Sequence, residues 1–150
     1  WGAHRARVRA ALPVQGALLE LAAMLEAEMG RVTAESHREQ ARAEQSWRAH
    51  ERKATRQELS KPLPRAWIPQ SDPITGRIYY CYTRTGELHK EHPGMKQLRP
   101  VLAEQKVRAQ EALWVALARL DTYANRLREG AAEREAELKQ QLQSARREAG

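Results

Sequence analysis

Cys81, His89 and His92 carry the most versatile side chains in this 150-residue chain, and they lie close together in sequence. A thiolate and two imidazoles in a His-x-x-His spacing are ligand types that zinc accepts. A structural zinc site takes four ligands, however, and strand alternation gives no reason for these three side chains to converge. The same thiol would act as a nucleophile only beside a base in an electropositive pocket, and no segment builds one. There is no Gly-x-x-x-x-Gly-Lys loop, no Gly-x-Gly-x-x-Gly and no His-Glu-x-x-His, and the paired carboxylates sit in charged tracts. The expectation is a non-catalytic protein with no cofactor and no metal.

Charge is the second chemical resource. Twenty-six Lys and Arg against nineteen Asp and Glu give a net charge of +7, which favours an acidic partner surface. Between Ser60 and Pro100 seven bases (Lys61, Arg65, Arg77, Arg84, Lys90, Lys96 and Arg99) face three acids, Asp72, Glu87 and Glu91, a surplus of four. Arg5, Arg7 and Arg9 form a second basic cluster at the amino end. Partners that fit are the tubulin lattice with its acidic tails, or RNA phosphates with tyrosines as stacking platforms. RNA is the less favoured of these, because no RNA-binding signature accompanies the charge. A basic surface that is simply solvated accounts for the same count.

The elements that position these residues follow from composition. The chain is 30% charged and 5% aromatic, has no Phe, and is 41% hydrophobic, mainly through Ala and Leu. That is too polar for one compact globule and suits long helices with much exposed surface. No apolar run approaches the roughly 20 residues that cross a bilayer, and Trp1-Gly2-Ala3-His4 carries no signal-peptide pattern, so no membrane partner is expected. A single Cys81 excludes an internal disulfide and points to a reducing compartment. The lack of an initiator Met and the ending in charged helical sequence read as a piece of something longer.

Four segments are expected: a basic stretch at 1–12, a helix at 13–59, a β-rich segment at 60–100 and a second helix at 101–150. Pro13 suits a helix's first turn, and Leu18, Leu21, Leu25, Met29 and Val32 then recur at steps of three and four. From Glu35 to Glu58 the stripe thins to Ala41, Ala43 and Trp47 among charges. Glu35/Glu39 with Arg38/Arg42, and Glu44 with Arg48, support that helix by about 0.2–0.5 kcal/mol per pair. After Pro100, Leu113, Leu117, Leu120, Ala124, Leu127, Ala131, Leu138 and Ala145 keep close to a heptad seam, interrupted by Arg134 and Gln141. If both helices are continuous, each spans about 45 residues, or about 70 Å. If they fold back antiparallel, Trp47 would lie near Trp114. Between them Pro62 and Pro64 stop the helix, and Thr75-Gly76 and Thr85-Gly86 bracket the strand Arg77–Tyr82, which predicts a three-stranded meander.

Within that meander, Leu63-Pro64-Arg65-Ala66-Trp67, Asp72 to Tyr80 with its Thr75-Gly76-Arg77 turn and Tyr79-Tyr80 pair, Thr85-Gly86-Glu87 and Glu91-His92-Pro93 resemble a WW domain over roughly residues 62–97. The resemblance implies a core of Trp67, Tyr80 and Pro93 stacked as a buckle, and a ligand groove formed by the first tyrosine of the pair and a second Trp. Here Lys90 stands in place of that Trp. A polyproline II ligand is gripped between flat aromatic faces, and Lys cannot supply one. Tyr79, Tyr82, His89 and Lys90 are therefore the residues expected to form any peptide or partner surface.

The Asp-x-x-Thr-Gly-x-Ile-Tyr-Tyr form with the Glu-His-Pro ending is similar to WW domains in coiled-coil proteins of centrioles, basal bodies and ciliary axonemes. The expected fold class is mainly α, two long coiled-coil-type helices flanking a small WW-like antiparallel meander. The resemblance implies a cytoskeletal scaffold in the cytoplasm, at an axoneme or basal body. Its partners would be other proteins of a large assembly, reached through the helices, and microtubules, reached through Lys61, Arg65, Arg77, Arg84, Lys96 and Arg99. The alternative is an adaptor that recruits a proline-rich partner while its coiled coil dimerises.

Overall fold

The computed structural model describes the backbone of residues 2–148 and the side chains of residues 13–148. Five elements follow one another: α1 (Gly2–Ser60), β1 (Trp67–Ser71), β2 (Ile78–Tyr82), β3 (Glu87–His89) and α2 (Pro93–Glu148). The protein is mainly α, with 59 and 56 residues in the two helices flanking a three-stranded antiparallel sheet of order β1-β2-β3. The chain forms two compact units, Trp1–Glu39 with Val115–Gly150, and Gln40–Trp114.

In the first unit α1 turns Val14, Leu18, Leu21, Leu25, Met29 and Val32 inward, all half-buried. The facing stripe of α2 is the expected seam of Leu117, Leu120, Ala124, Leu127, Ala131, Leu138 and Ala145, with Ala124 and Leu138 buried. Leu21 and Leu25 share a groove with Leu127 and Ala131, while Glu28 Oε2 lies 3.5 Å from the Tyr123 hydroxyl, so these segments run antiparallel. At the seam's polar interruption Arg134 stays exposed and pairs with Glu137, and beside exposed Gln141 the half-buried position passes to Leu142.

The second unit repeats the antiparallel arrangement with a thinner stripe. Ala43 and Trp47 of α1 face Ala109 and Leu113 of α2, His50 Nε2 lies 2.7 Å from Gln105 Oε1, and Glu58 approaches Gly94. Ala41 is exposed, and the expected pair Arg48–Glu44 forms at 2.5 Å, as Arg38–Glu35 does at 2.7 Å on α1 in the first unit. Trp114 does not meet Trp47. It is 63% exposed, whereas Trp47 packs its ring on His50 and donates its indole N–H to Glu51 at 3.2 Å. The seam residue on α2 is Leu113, and one residue of helix turns the next side chain about 100° away.

Both helices start earlier than their prolines predict. α1 begins at Gly2, so the basic stretch before Pro13 is helical, and Pro13 lies inside the helix. The side chains of Arg5, Arg7 and Arg9 lie outside the described residues. α2 begins at Pro93 and carries Pro100 inside it. A proline costs a helix one N–H bond, yet here Met95, Leu98 and Leu102 keep an inward stripe running through Pro100. Pro93 itself takes the first helical position, where a missing N–H is no loss.

The strands register as Trp67↔Tyr82, Ile68↔Cys81 and Gln70↔Tyr79 on one side, and Tyr80↔His89 and Cys81↔Leu88 on the other. The bonds Thr83 N–H to Ala66 O and Asp72 N–H to Arg77 O, each 2.8 Å, fix which β1 groups face β2. The alternation leaves the Pro69 nitrogen on the free edge, where it offers no donor to another strand. Gly76 at φ 69° and Gly86 at φ 75° close the two hairpins. The β1–β2 loop is tied by Asp72, whose Oδ1 accepts from Ile74 N–H and whose carbonyl accepts from Gly76 N–H, both at 2.8 Å.

Entry to β1 is strained. Trp67 N–H donates to Pro64 O at 3.1 Å across a four-residue turn whose third residue, Ala66, has φ 72°. That left-handed position ordinarily belongs to Gly or Asn, because a Cβ there crowds the following carbonyl. Ala66→Gly should stabilise the chain by roughly 0.5–1 kcal/mol, the relief of strain less the added chain entropy of glycine. An unchanged or lower thermal midpoint would contradict the strain.

Candidate interaction surfaces

Strand alternation sorts the residues of the sheet into two faces. On one face the Trp67 ring lies 5.2 Å from that of Tyr82 and 5.1 Å from that of His89. Tyr80 lies on the same face and meets His92 edge-on at 5.3 Å. The aromatic partners of Trp67 are therefore Tyr82 and His89 in place of Tyr80, because the register sets Trp67 directly opposite Tyr82. Pro93 is half-buried at the start of α2.

The other face carries Ile68, Gln70, Tyr79, Cys81, Leu88 and Lys90. Cys81 is buried, whereas its cross-strand neighbours Ile68 and Leu88 are exposed. A shallow groove of about 380 Å³ is lined by Gln70, Ser71, Asp72, Tyr79, Leu88 and Lys90. Of the four residues expected to form a peptide surface, the structure brings Tyr79 and Lys90 together in this groove. Tyr82 and His89 belong to the opposite face, engaged with Trp67. The groove thus has one aromatic wall, from Tyr79, and a flexible cation opposite it.

The basic residues also divide. Lys61 pairs with Glu58 at 2.9 Å and Arg99 pairs with Glu91, while His89 lies 3.4 Å from Glu87. Arg65, Arg77, Arg84, Lys90 and Lys96 are exposed and make no ion pair among the described residues. Within the segment from Ser60 to Pro100 these five are the cations available to an acidic partner. Asp72 is the acid that lines the groove, and its carboxylate is committed to its own loop. The Ile74 N–H bond, helped by Thr75 against some desolvation, holds its pKa below the usual Asp value.

Among the described residues no three His, Cys, Asp or Glu side chains gather as a metal site, and Cys81 and His89 lie on opposite sheet faces. Along the helices the expected seam residues Leu113, Leu117, Leu120 and Leu127 are half-buried, and Leu138 is buried. What they leave outside is apolar as well: Val107 is 52% and Trp114 63% exposed, seven residues apart on one outer stripe of α2. Among the described residues no helix is long and apolar enough to cross a membrane.

Two contributors escape a reading of sequence alone. His92 is buried and caps α2, accepting the Gly94 N–H on Nδ1 at 3.0 Å. Glu58 closes over the same helix start, so that a Cβ added to Gly94 would lie 2.5 Å from its Oε1. A polar residue directly before a proline that opens a helical periodicity is the signal that points to the cap. Nothing in sequence announces the Glu58 contact, because it depends on where α1 returns. Searches of protein-family models, curated proteins and solved structures found no match to this chain.

The lowered pKa of Asp72 gives the β1–β2 loop a pH dependence. Its contribution is present above the ordinary Asp range and is lost as pH falls through the depressed value. Asp72→Asn keeps an oxygen that can accept from Ile74 but cannot titrate, so it should flatten the acid limb of a melting-temperature-against-pH curve. An unaltered acid limb would assign that limb to other carboxylates.

Proposed function

We propose that this chain is a non-catalytic structural scaffold of a cytoskeletal assembly, in which a degenerate WW module is held between two long helices. The observation that carries the proposal is Lys90 opposite Tyr79. The aromatic set that maintains the sheet is kept and packed together on one face, while the groove side of the same strands has one ring and a cation. Such a surface suits docking against an acidic protein face better than clamping proline rings. The residues from Asp72 to Pro93 that resemble the WW domains of axonemal and centriolar coiled-coil proteins favour that cellular setting, with microtubules as the acidic partner. The helices add the second docking surface, through Val107 and Trp114. The retained Tyr79 and its groove favour one other reading, an adaptor for a proline-rich partner.

Co-sedimentation with microtubules across a salt series tests the scaffold reading. Binding should weaken steeply with added salt. It should fall at least several-fold when Arg65, Arg77, Arg84 and Lys96, four of the five exposed cations of the sheet segment without ion pairs, are changed to Gln. Absence of binding at low salt, or binding indifferent to the four changes, would remove microtubules as the partner.

A further inference from the structure

His92 joins the sheet to α2 through a single lone pair. It is 7% exposed and directly precedes Pro93, the first residue of the helix. Its Nδ1 accepts the Gly94 N–H at 3.0 Å, its carbonyl accepts the Met95 N–H at 3.0 Å, and its ring meets Tyr80 of β2 edge-on. The side chain therefore does two things: it satisfies an orphan donor of the helix start, and it gives Tyr80 a surface to pack on. Asn, Ser and Thr perform the first task at most helix starts without titrating at all. A histidine makes the cap conditional, because imidazole changes charge between about pH 5 and 8.

We propose that His92 is a proton-operated latch between the sheet and α2. With Nδ1 unprotonated the cap is closed. A proton on Nδ1 turns the acceptor into a donor, so the Gly94 N–H loses its partner. The imidazolium also places positive charge at the positive end of the helix. The proton and the cap compete for one lone pair, so the junction is closed while the imidazole is neutral and opens when Nδ1 takes a proton.

The surrounding groups set how far the latch opens. From α1, Glu58 comes over Gly94 and draws the imidazolium toward itself, but its Oε2 is already held by Lys61 at 2.9 Å. From β2, Tyr80 presents a ring edge. On the chain just before the cap, Glu91 is engaged by Arg99. Both acids named beside the cap, Glu58 and Glu91, are thus already held by a base, and loss of the cap dominates. The inference goes beyond the scaffold reading and stands whether or not that reading holds.

NMR of the whole chain from pH 8 to pH 5 tests the latch, following the His92 ring protons, the Gly94 amide and its exchange protection corrected for intrinsic rate. The Gly94 amide should shift with the midpoint of the His92 ring, and protection there should fall about five-fold, the worth of an ordinary N-cap. His92→Asn should hold the Gly94 amide steady over the whole range. His37→Gln, which removes an exposed histidine of α1, should leave the wild-type titration in place. A Gly94 amide that ignores the His92 midpoint would overturn the latch, and so would His92→Asn with the wild-type pH dependence. If His92→Asn does not fold, the comparison of Gly94 with the His92 ring in the native chain decides alone.

Discussion

The packing of Trp67 on Tyr82 and His89 is the contact on which the middle of the molecule depends. No described side chain is completely covered, and among the described residues the buried hydrophobic ones are Cys81, Ala124 and Leu138. A three-stranded sheet this small cannot stand on buried area, so its stability must come from a few large aromatic contacts and from what its ends are attached to. Trp67 supplies the first, joining the start of β1 to the end of β2 and to β3. The attachments are the turn at Ala66, whose carbonyl takes the Thr83 N–H and hydroxyl, and the cap at His92. The helices on either side bring an antiparallel partner for one another in each unit, which long, weakly apolar helices require.

This division of labour explains why one face of the sheet is so open. Tyr80, Tyr82 and His89 are consumed in holding the sheet together and to α2. Tyr79 alone is left on the groove side, across from Lys90. The same economy marks the charges, since Lys61, Arg99 and Glu58 serve the fold while Arg65, Arg77, Arg84 and Lys96 project from it. The proposed scaffold draws its support from that separation: the structural contacts pack on one face of the sheet, and the exposed surface is basic around the sheet and apolar along one stripe of α2.

Much of the fold was legible in the sequence. The seam from Leu113 to Ala145 repeats often enough for periodicity to find it, and Thr75-Gly76 and Thr85-Gly86 mark both hairpins because glycine alone takes their positive φ without strain. The helix boundaries were not legible. Pro13 and Pro100 read as starts, yet both helices run through them, at Pro100 with an inward stripe on either side, and α2 opens at Pro93, inside the segment expected to be β-rich. The candidate site was legible as a set of residues but not as a surface. Tyr79, Tyr82, His89 and Lys90 are neighbours in sequence, and only strand register shows that they split between two faces. Trp114 was misplaced by a single residue's rotation about its helix axis.

In the proposed function the sheet is a structural knob, and with Lys90 opposite Tyr79 its groove lacks the second flat wall that a proline-rich ligand needs. A titration of the whole chain with a proline-rich peptide in polyproline II conformation, read at the Tyr79 ring by NMR, tests it most directly when the Lys90→Trp variant is run beside the native chain. The account predicts no saturable shift at Tyr79 in the native chain and a saturable one in the variant. Comparable binding by both, centred on Tyr79, would contradict it and make the adaptor reading the better one.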